Sequence, residues 1–464
     1  MRWIALASWS SLLALSLASL SACDGDSGSQ GGAAAGGSGG AVSGASGHAG
    51  SGSGGGSLAG QGGAGGSGGH GGSSGAEGLG GAATGGSGGA GQAGGGGGSM
   101  SGGSGQGGST TAAVTTLRVH YPVGSGHGLV VRGNAGDLSW DAGQPMQASD
   151  DGTWSYTLTG LSSAVEWKPM LDGADWARGP NYRAEPGATV DVYPHFHVTS
   201  GEVKLWQSGY QLGPLAARDV WVYLPPTYIE NDRVRLPVVY MHDGQNLFDP
   251  SLAFGGNEWR VDETLDEAAE TGKIREAIVI GVGNTADRID EYTPVADPDH
   301  TPSGHGDQYL ALLTEHLKPL VDASFRTLTG PADTALVGSS LGGLISSHGG
   351  VHEPDVFGLI GALSPSTWWS NTYLLGDVAT VAQASERALR VYVDSGDSGE
   401  SSDDKVNTAK LAMAYEQAGY IEGQSLHYVV QPGASHSEVY WAQRLPGALG
   451  FLLGARPDSA PATP

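Results

Sequence analysis

Cysteine is nearly absent from this 464-residue chain, with Cys23 as its single example. The remainder of the chain therefore has no intrachain disulfide open to it. Basic residues are scarce as well: 22 Lys and Arg stand against 47 Asp and Glu, a formal charge of −25 at pH 7. No run of Lys or Arg occurs, so the basic footprint that nucleic acid requires is missing, and no nucleic-acid partner is expected. Acidity of this kind fits solubility in an extracellular setting. One long apolar run exists, Trp3 to Leu20. It is short and punctuated by serine, which fits a secretory signal better than a spanning helix.

Charge and bulk are also missing between Cys23 and Ala112, where Asp24, Asp26 and Glu77 are the only charged residues. Most of the 82 glycines fall before residue 110. Such a stretch cannot bury enough surface to offset the entropy of ordering, and residues 23–112 are read as a disordered Gly/Ser linker. A coil of that length has a root-mean-square reach of roughly 50 Å. Ahead of it, Arg2 and the apolar run end in Leu20-Ser21-Ala22-Cys23. That ending resembles the lipobox of bacterial lipoproteins. The resemblance implies removal of residues 1–22 and lipidation of Cys23. The chain is then expected to be exported and held by this anchor to a bacterial membrane, the cell envelope or the cell surface.

The roughly 350 remaining residues suffice for two domains with real cores. Residues 113–207 read as an all-β module. Trp154-Ser-Tyr-Thr-Leu158 and Val165-Glu-Trp-Lys-Pro169 alternate, and Gly133-Asn134, Asp151-Gly152, Asp172-Gly173 and Pro186-Gly187 mark turns. Short strands at this spacing suggest a β-sandwich. From residue 210 strands alternate with helical patterns. Val220–Leu224, Leu236–Tyr240, Ala277–Gly281, Thr334–Val337, Leu389–Val393 and Leu426–Val430 read as strands. Leu310, Leu313, Leu317, Leu320 and Val321 share one helical face. The pattern predicts a mostly parallel sheet covered by helices over 210–455, followed by a disordered tail at 456–464.

Gly338-Ser339-Ser340-Leu341-Gly342 is the central motif. G-x-S-x-G alone is weak, since the linker matches it by composition at Gly36-Gly37-Ser38-Gly39-Gly40. The copy at 338 follows a strand and precedes a helix-compatible run. A sharp strand-to-helix turn needs glycine on both flanks and lifts the serine hydroxyl above the sheet. Ser340 is therefore the expected nucleophile. A serine needs a base, and His436 follows the last predicted strand. His348 and His352 lie too near Ser340 in sequence, and His427 falls inside a strand. The oxyanion donors are expected from the backbone N–H groups of Leu341 and Gln245, with Gly244 as the alternative to Gln245.

His242-Asp-Gly-Gln-Asn-Leu-Phe-Asp249 resembles a hallmark of the esterase family that includes enterochelin esterases, feruloyl esterases and mycolyltransferases. Arg288-Ile-Asp-Glu-Tyr292, Val337-Gly-Ser-Ser-Leu-Gly-Gly343 and Ser364-Pro-Ser-Thr-Trp-Trp369 are similar to the same pattern, over about residues 210–455. The resemblance implies an α/β-hydrolase domain with a Ser/acid/His triad. The segment before it resembles the immunoglobulin-like domains that precede some of these esterases. Its Val131-Arg-Gly-Asn…Leu-Ser-Trp140 also resembles glycogen-binding-type modules. In similar esterases the acid comes a few residues after a glycine that ends the strand. With Gly396 in that place, Glu400 is the expected acid, ahead of Asp404 and Asp397. Asp403 and Asp404 sit where a helix N-cap is needed, and capping is the role expected of them.

Trp368 and Trp369 are candidates to line the substrate pocket or, equally, to pack in the core. His195 and His197 offer two ligands without a third, and the acidic loop 397–404 lacks calcium-loop spacing. No metal and no cofactor are expected. The expected function is serine carboxylic ester hydrolysis on an extracytoplasmic ester: a siderophore, a hydroxycinnamoyl or acetyl polysaccharide ester, or an envelope lipid. An acyltransferase with the same triad and a non-catalytic surface carbohydrate-binding protein are the rivals. The anchor is testable by itself. Cys23→Ser should move the protein from the membrane pellet to the soluble fraction or leave it unprocessed, and a native N-terminus without lipid mass would refute the assignment.

Overall fold

The computed structural model describes residues 113–458, except 212, 302, 385 and 400. The expected signal segment, Cys23, the linker and positions 459–464 of the expected tail lie outside the described residues. One sheet dominates the structure. Its strands are β1 (Glu202–Tyr210), β2 (Arg218–Leu224), β3 (Val238–His242), β4 (Ile278–Val282), β5 (Thr334–Ser340), β6 (Leu359–Pro365), β7 (Arg390–Gly396) and β8 (Leu426–Gln431). They lie in the order β1-β2-β4-β3-β5-β6-β7-β8. β1 and β2 run antiparallel to their neighbours, and the pairs from β4 through β8 are parallel.

Parallel strands are covered on both faces, and the residues alternate accordingly. Val238, Tyr240, Leu336 and Ile360 face one core with Leu344 and Ile345 of helix Leu341–His352. Val239, Met241, Val337 and Leu363 face the other with Val261 and Leu265 of helix Val261–Thr271 and with Trp441 and Leu445 of helix Glu438–Leu453. Helices Trp369–Val381 and Lys405–Gln417 complete the first face. This is the mostly parallel, helix-covered sheet that the alternation predicted, in the α/β-hydrolase-like form that the resemblance implied.

Two smaller sheets precede it. One joins Val114–His120 to Thr153–Thr159 antiparallel and to Thr189–Val192 parallel. The other joins Leu129–Gly133 to Val165–Leu171, which also pairs with Tyr182–Ala184. Leu117, Val119 and Leu158 of the first sheet share a core with Val131, Val165 and Trp167 of the second. Two expectations shift. Residues 202–207, expected in the β-module, belong to β1, because their backbone pairs with β2. Residues 456–458, expected in the tail, are bound. Arg456 donates to the Pro180 carbonyl at 2.8 Å and lies 4.2 Å from the Tyr182 ring, and Arg183 N donates to the Asp458 carbonyl.

The module is tied to the large domain by a few polar groups. Glu230 accepts from Tyr121 Oη and from the backbone N–H groups of Phe196, His197 and Val198. Asn231 Nδ2 donates to the carbonyls of His120 and Pro194. Each satisfies backbone that a domain junction would otherwise strand.

One buried ion pair braces the edge of the large sheet. Arg218 of β2 donates to both oxygens of Glu291, at 3.0 and 2.6 Å, with both side chains excluded from water. Removing one charge of such a pair leaves the other uncompensated, at a cost of about 3–5 kcal/mol. Glu291→Gln should lower the unfolding free energy in urea by about that amount. A loss too small to resolve would show that Arg218 finds another partner.

Candidate active site

Ser340 ends β5, and the helix Leu341–His352 starts at the next residue. Its φ of 57° and ψ of −123° lie where non-glycine residues seldom sit. Such a conformation costs about 1–3 kcal/mol and persists only when its surroundings enforce it. Here they do. A Cβ on Gly338 would fall 2.7 Å from His242 Cδ2 and 2.8 Å from the Gly342 carbonyl carbon. Ser366 N donates to the Ser340 carbonyl at 2.9 Å, and the two hydroxyls lie 3.3 Å apart. The turn leaves Ser340 partly exposed at the carboxyl end of a central strand, facing a cleft.

His436 stands on the loop after β8, with Nδ1 2.6 Å from Asp403 Oδ1. Asp403 is buried. Its other oxygen accepts from Ser364 Oγ at 2.6 Å and from Gly396 N. Burial pushes the Asp403 carboxyl up, but the hydrogen bonds from His436, Ser364 and Gly396 outweigh it and hold the pKa below the ordinary value. Ser364 Oγ in turn accepts from Trp441 Nε1 at 3.0 Å and Arg444 Nη2 at 2.7 Å. Its one hydrogen and two lone pairs are all engaged. Arg444 Nε also lies 2.9 Å from Asp394 Oδ2. The Trp441 ring meets His436 edge-on at 4.9 Å.

The acid position therefore differs from the expectation. A ring nitrogen makes one hydrogen bond, and Asp403 occupies the one on His436 Nδ1 that the sequence reading gave to Glu400. Glu400 itself lies outside the described residues. Asp397 accepts from Gly433 N at 2.7 Å, and Asp404 accepts from Asn407 Nδ2 at 2.8 Å and from Trp368 N at 3.2 Å. Asp403 was expected to cap the helix at residue 405. A short turn, Ser402–Asp404, with φ of 54° at Asp403 instead carries its carboxylate under the end of β7.

The loop His242–Asn246 faces Ser340 from β3. Gly244 has no room for a side chain, since a Cβ would lie 2.5 Å from the Gly281 carbonyl carbon. Asp243, in the left-handed region, is gripped by Arg288 through two bonds of 2.7 and 2.9 Å and by Asn284 Nδ2 at 2.6 Å. Tyr292 Oη accepts from Asp243 N at 3.2 Å. His242 is buried beneath the turn, and burial lowers its pKa to about 3, so the ring is neutral. Its Nδ1 lies 2.8 Å from Tyr309 Oη. These contacts account for Arg288-Ile-Asp-Glu-Tyr292: Arg288 and Tyr292 hold the loop, and Glu291 holds Arg218.

Ser340 and His436 line two adjoining clefts, of about 370 and 530 Å³. Gln245, Asn284, Arg288, Glu438 and Trp441 line the larger one, and Trp368 lines the smaller. Leu341 opens its helix, so its N–H is among the first four that lack a helical acceptor. Trp369 does not reach either cleft. It is buried and donates from Nε1 to the Val295 carbonyl at 2.9 Å, because the chain turns inward there. His195 is buried against Thr227 Oγ1 at 2.7 Å, and burial lowers its pKa to about 4. Asp403, Ser364, Trp441 and Arg444 escaped the sequence reading as site residues, because each acts through a partner distant in sequence. Ser364 alone lay in a quoted motif.

Residues 216–452, just over half of the chain, match the model of a family described as "Putative esterase". The chain belongs to that family. It is an esterase. It is 28% identical over 244 residues to an uncharacterized protein, YbbA, of Bacillus subtilis, covering 50% of this chain and 91% of that one. It is 27% identical over 176 residues to the iron(III) salmochelin esterase of Escherichia coli O6:H1, covering 36% of this chain but only 38% of that protein. A crystal structure of the enterobactin esterase of Shigella flexneri aligns with a TM-score of 0.41 at 16% identity, over 70% of this chain and 88% of that one. Among the described residues of the esterase, no helix is long and apolar enough to cross a membrane.

The clamp on Asp243 gives a test. Arg288→Ala removes two bonds to a left-handed residue beside Ser340 without touching Ser340 or His436. It should lower the esterase's kcat/KM by about 10²-fold, the scale for a small misplacement of a catalytic group, and Arg288→Lys should not restore it. Activity within twofold of wild type in Arg288→Ala would show that the loop holds its shape without the clamp.

Proposed function

We propose that this esterase hydrolyses carboxylic esters through an acyl-serine intermediate. The observation that carries the reading is the 2.6 Å contact of His436 Nδ1 with buried Asp403, on a histidine that shares its clefts with Ser340. Ser340 Oγ attacks the ester carbonyl, and His436 Nε2 takes its proton. Asp403 fixes the tautomer that leaves Nε2 free and stabilises the imidazolium that forms. The N–H groups of Leu341 and Gln245 receive the oxyanion. His436 then protonates the leaving alcohol, and water repeats the sequence to release the acid. Ser340 Oγ has Ser366 as its neighbour in the free enzyme, and its bond to His436 forms when substrate binds. These steps require no cofactor.

One relative, 34% identical over 90 residues, is named a siderophore enterobactin esterase, and a siderophore ester is the substrate class we favour. Polysaccharide esters and envelope lipids are the others, and an alcohol in place of water would make the same site an acyltransferase. The β-module, taken as immunoglobulin-like, has a separate part in this reading. Trp140 and Trp176 are exposed with ring centroids 6.2 Å apart, a platform suited to stacking a sugar or aryl ring. Trp167 is core and Trp154 is half-buried against it, so neither serves that end. Export with a lipid anchor at Cys23 would place the enzyme where such esters are met.

A fluorophosphonate probe should label Ser340, and Ser340→Ala should abolish both labelling and turnover. Asp403→Asn should lower kcat by about 10⁴-fold, because the amide favours the wrong tautomer of His436. Asp404→Asn and Glu400→Gln should stay within a few-fold of wild type. Full activity in Asp403→Asn, or labelling at another serine, would reject the triad.

A further inference from the structure

The helix that begins at Ser340 carries two histidines near its far end that the esterase chemistry does not use. His348 and His352 are one turn apart and share a face. Asp377, on helix Trp369–Val381, lies against both. Its Oδ2 is 2.9 Å from His352 Nε2 and 3.3 Å from His348 Nδ1. One donor atom from each of the three residues can be chosen so that all lie within 4.8 Å of one another. His348 is 7% exposed, and its Nδ1 is buried with no hydrogen-bond partner although it points at Asp377. The other nitrogen of the same ring, Nε2, lies 2.9 Å from Asp307 Oδ1.

We propose that His348 Nδ1, His352 Nε2 and Asp377 Oδ2 form a zinc site. Four features point to a metal rather than to a proton shared between the rings. Bonds of about 2.0–2.2 Å to tetrahedral zinc set neighbouring ligand atoms roughly 3.4 Å apart; the 3.3 Å from Asp377 Oδ2 to His348 Nδ1 matches that spacing, and the 2.9 Å hydrogen bond from His352 Nε2 to the same oxygen would lengthen slightly to admit the ion. A buried ring nitrogen without a partner is costly, and a metal bond would satisfy it. Asp307 stands on the far nitrogen of His348, where a carboxylate fixes the tautomer and orientation of a metal-bound histidine. Two imidazoles and one carboxylate suit zinc, whereas calcium and magnesium take oxygen ligands.

The site lies eight residues along the helix from Ser340, about 12 Å by helical rise, so it takes no part in bond breaking. Its consequence is mechanical. Zinc there ties the Ser340 helix to the helix that follows Trp368, and Asp307 adds the segment Gly306–Ala311. Three protein ligands leave a fourth position for water, and His352, at 39% side-chain exposure, opens it to solvent.

The test uses the full chain, stripped with a chelator and titrated with ZnCl₂ by calorimetry, with metal analysis after gel filtration and thermal melts alongside. One zinc per chain should be retained, and the melting temperature should rise with zinc and not with MgCl₂. Zinc affinity should drop at least tenfold in His352→Gln and in Asp377→Asn, the scale of losing a ligand-shell group. His352 is on the surface, so His352→Gln keeps its fold and decides the matter if Asp377→Asn does not. The readout is binding and stability, which remain measurable in Ser340→Ala whatever the outcome for the triad. No retained zinc, equal stabilisation by magnesium, or undiminished affinity in His352→Gln would overturn the site.

Discussion

Buried Asp403 is the point on which the rest of this site depends. A carboxylate away from water is costly unless its lone pairs are used, and here they are taken by His436, Ser364 and Gly396. Each partner belongs to a different strand end: His436 to the loop after β8, Ser364 to β6 and Gly396 to β7. Satisfying one carboxylate therefore fixes three loops relative to each other. Ser364 extends the arrangement to Trp441 and Arg444 on the last helix, and Arg444 extends it to Asp394 at the end of β7. Hydrogen bonds among such groups are directional, so the network leaves His436 little freedom to swing.

A second network prepares the opposite wall. Asp243, Arg288, Asn284 and Tyr292 hold a loop whose glycine packs directly on β4. Beneath it, neutral His242 fills the space that Gly338 and Gly342 leave open. Ser340 lies between the two walls in a backbone conformation that neither would allow to relax. Strain at one residue is thus sustained by packing at many, which is how a sharp turn of this kind stays rigid.

The two parts of the described chain are joined differently from the way each is built. Each has a hydrophobic core, while the junction carries polar contacts, among them Glu230 and Asn231 capping backbone groups of the β-module and Arg456 on Pro180 and Tyr182. Hydrogen bonds of this kind set an orientation without merging the cores. The exposed Trp140 and Trp176 belong to the β-module, within the same compact unit of the chain that holds Ser340.

What the sequence determined by itself was whatever depends on local pattern. Alternation of strands and helices foretold the large, mostly parallel sheet, and a strand, a glycine-flanked serine and a helix in succession foretold the turn at Ser340. A histidine after the last strand could be picked out because its position in the chain order is local information too. Register at the edge was less legible. Residues 202–207 were expected in the β-module, and only their pairing with β2 assigned them to the large sheet. The acid was not legible at all. Five carboxylates lie within eleven residues of one loop, and Asp403 carries the spacing of a helix cap. Its partners Ser364, Gly396 and His436 lie 39, 7 and 33 residues away, and they converge only because β6, β7 and β8 are adjacent in the sheet. Choosing among identical side chains needs the direction in which each backbone turn points them. That direction is set by the φ of 54° at Asp403, a value that tertiary contacts impose and that no local propensity of aspartate requires.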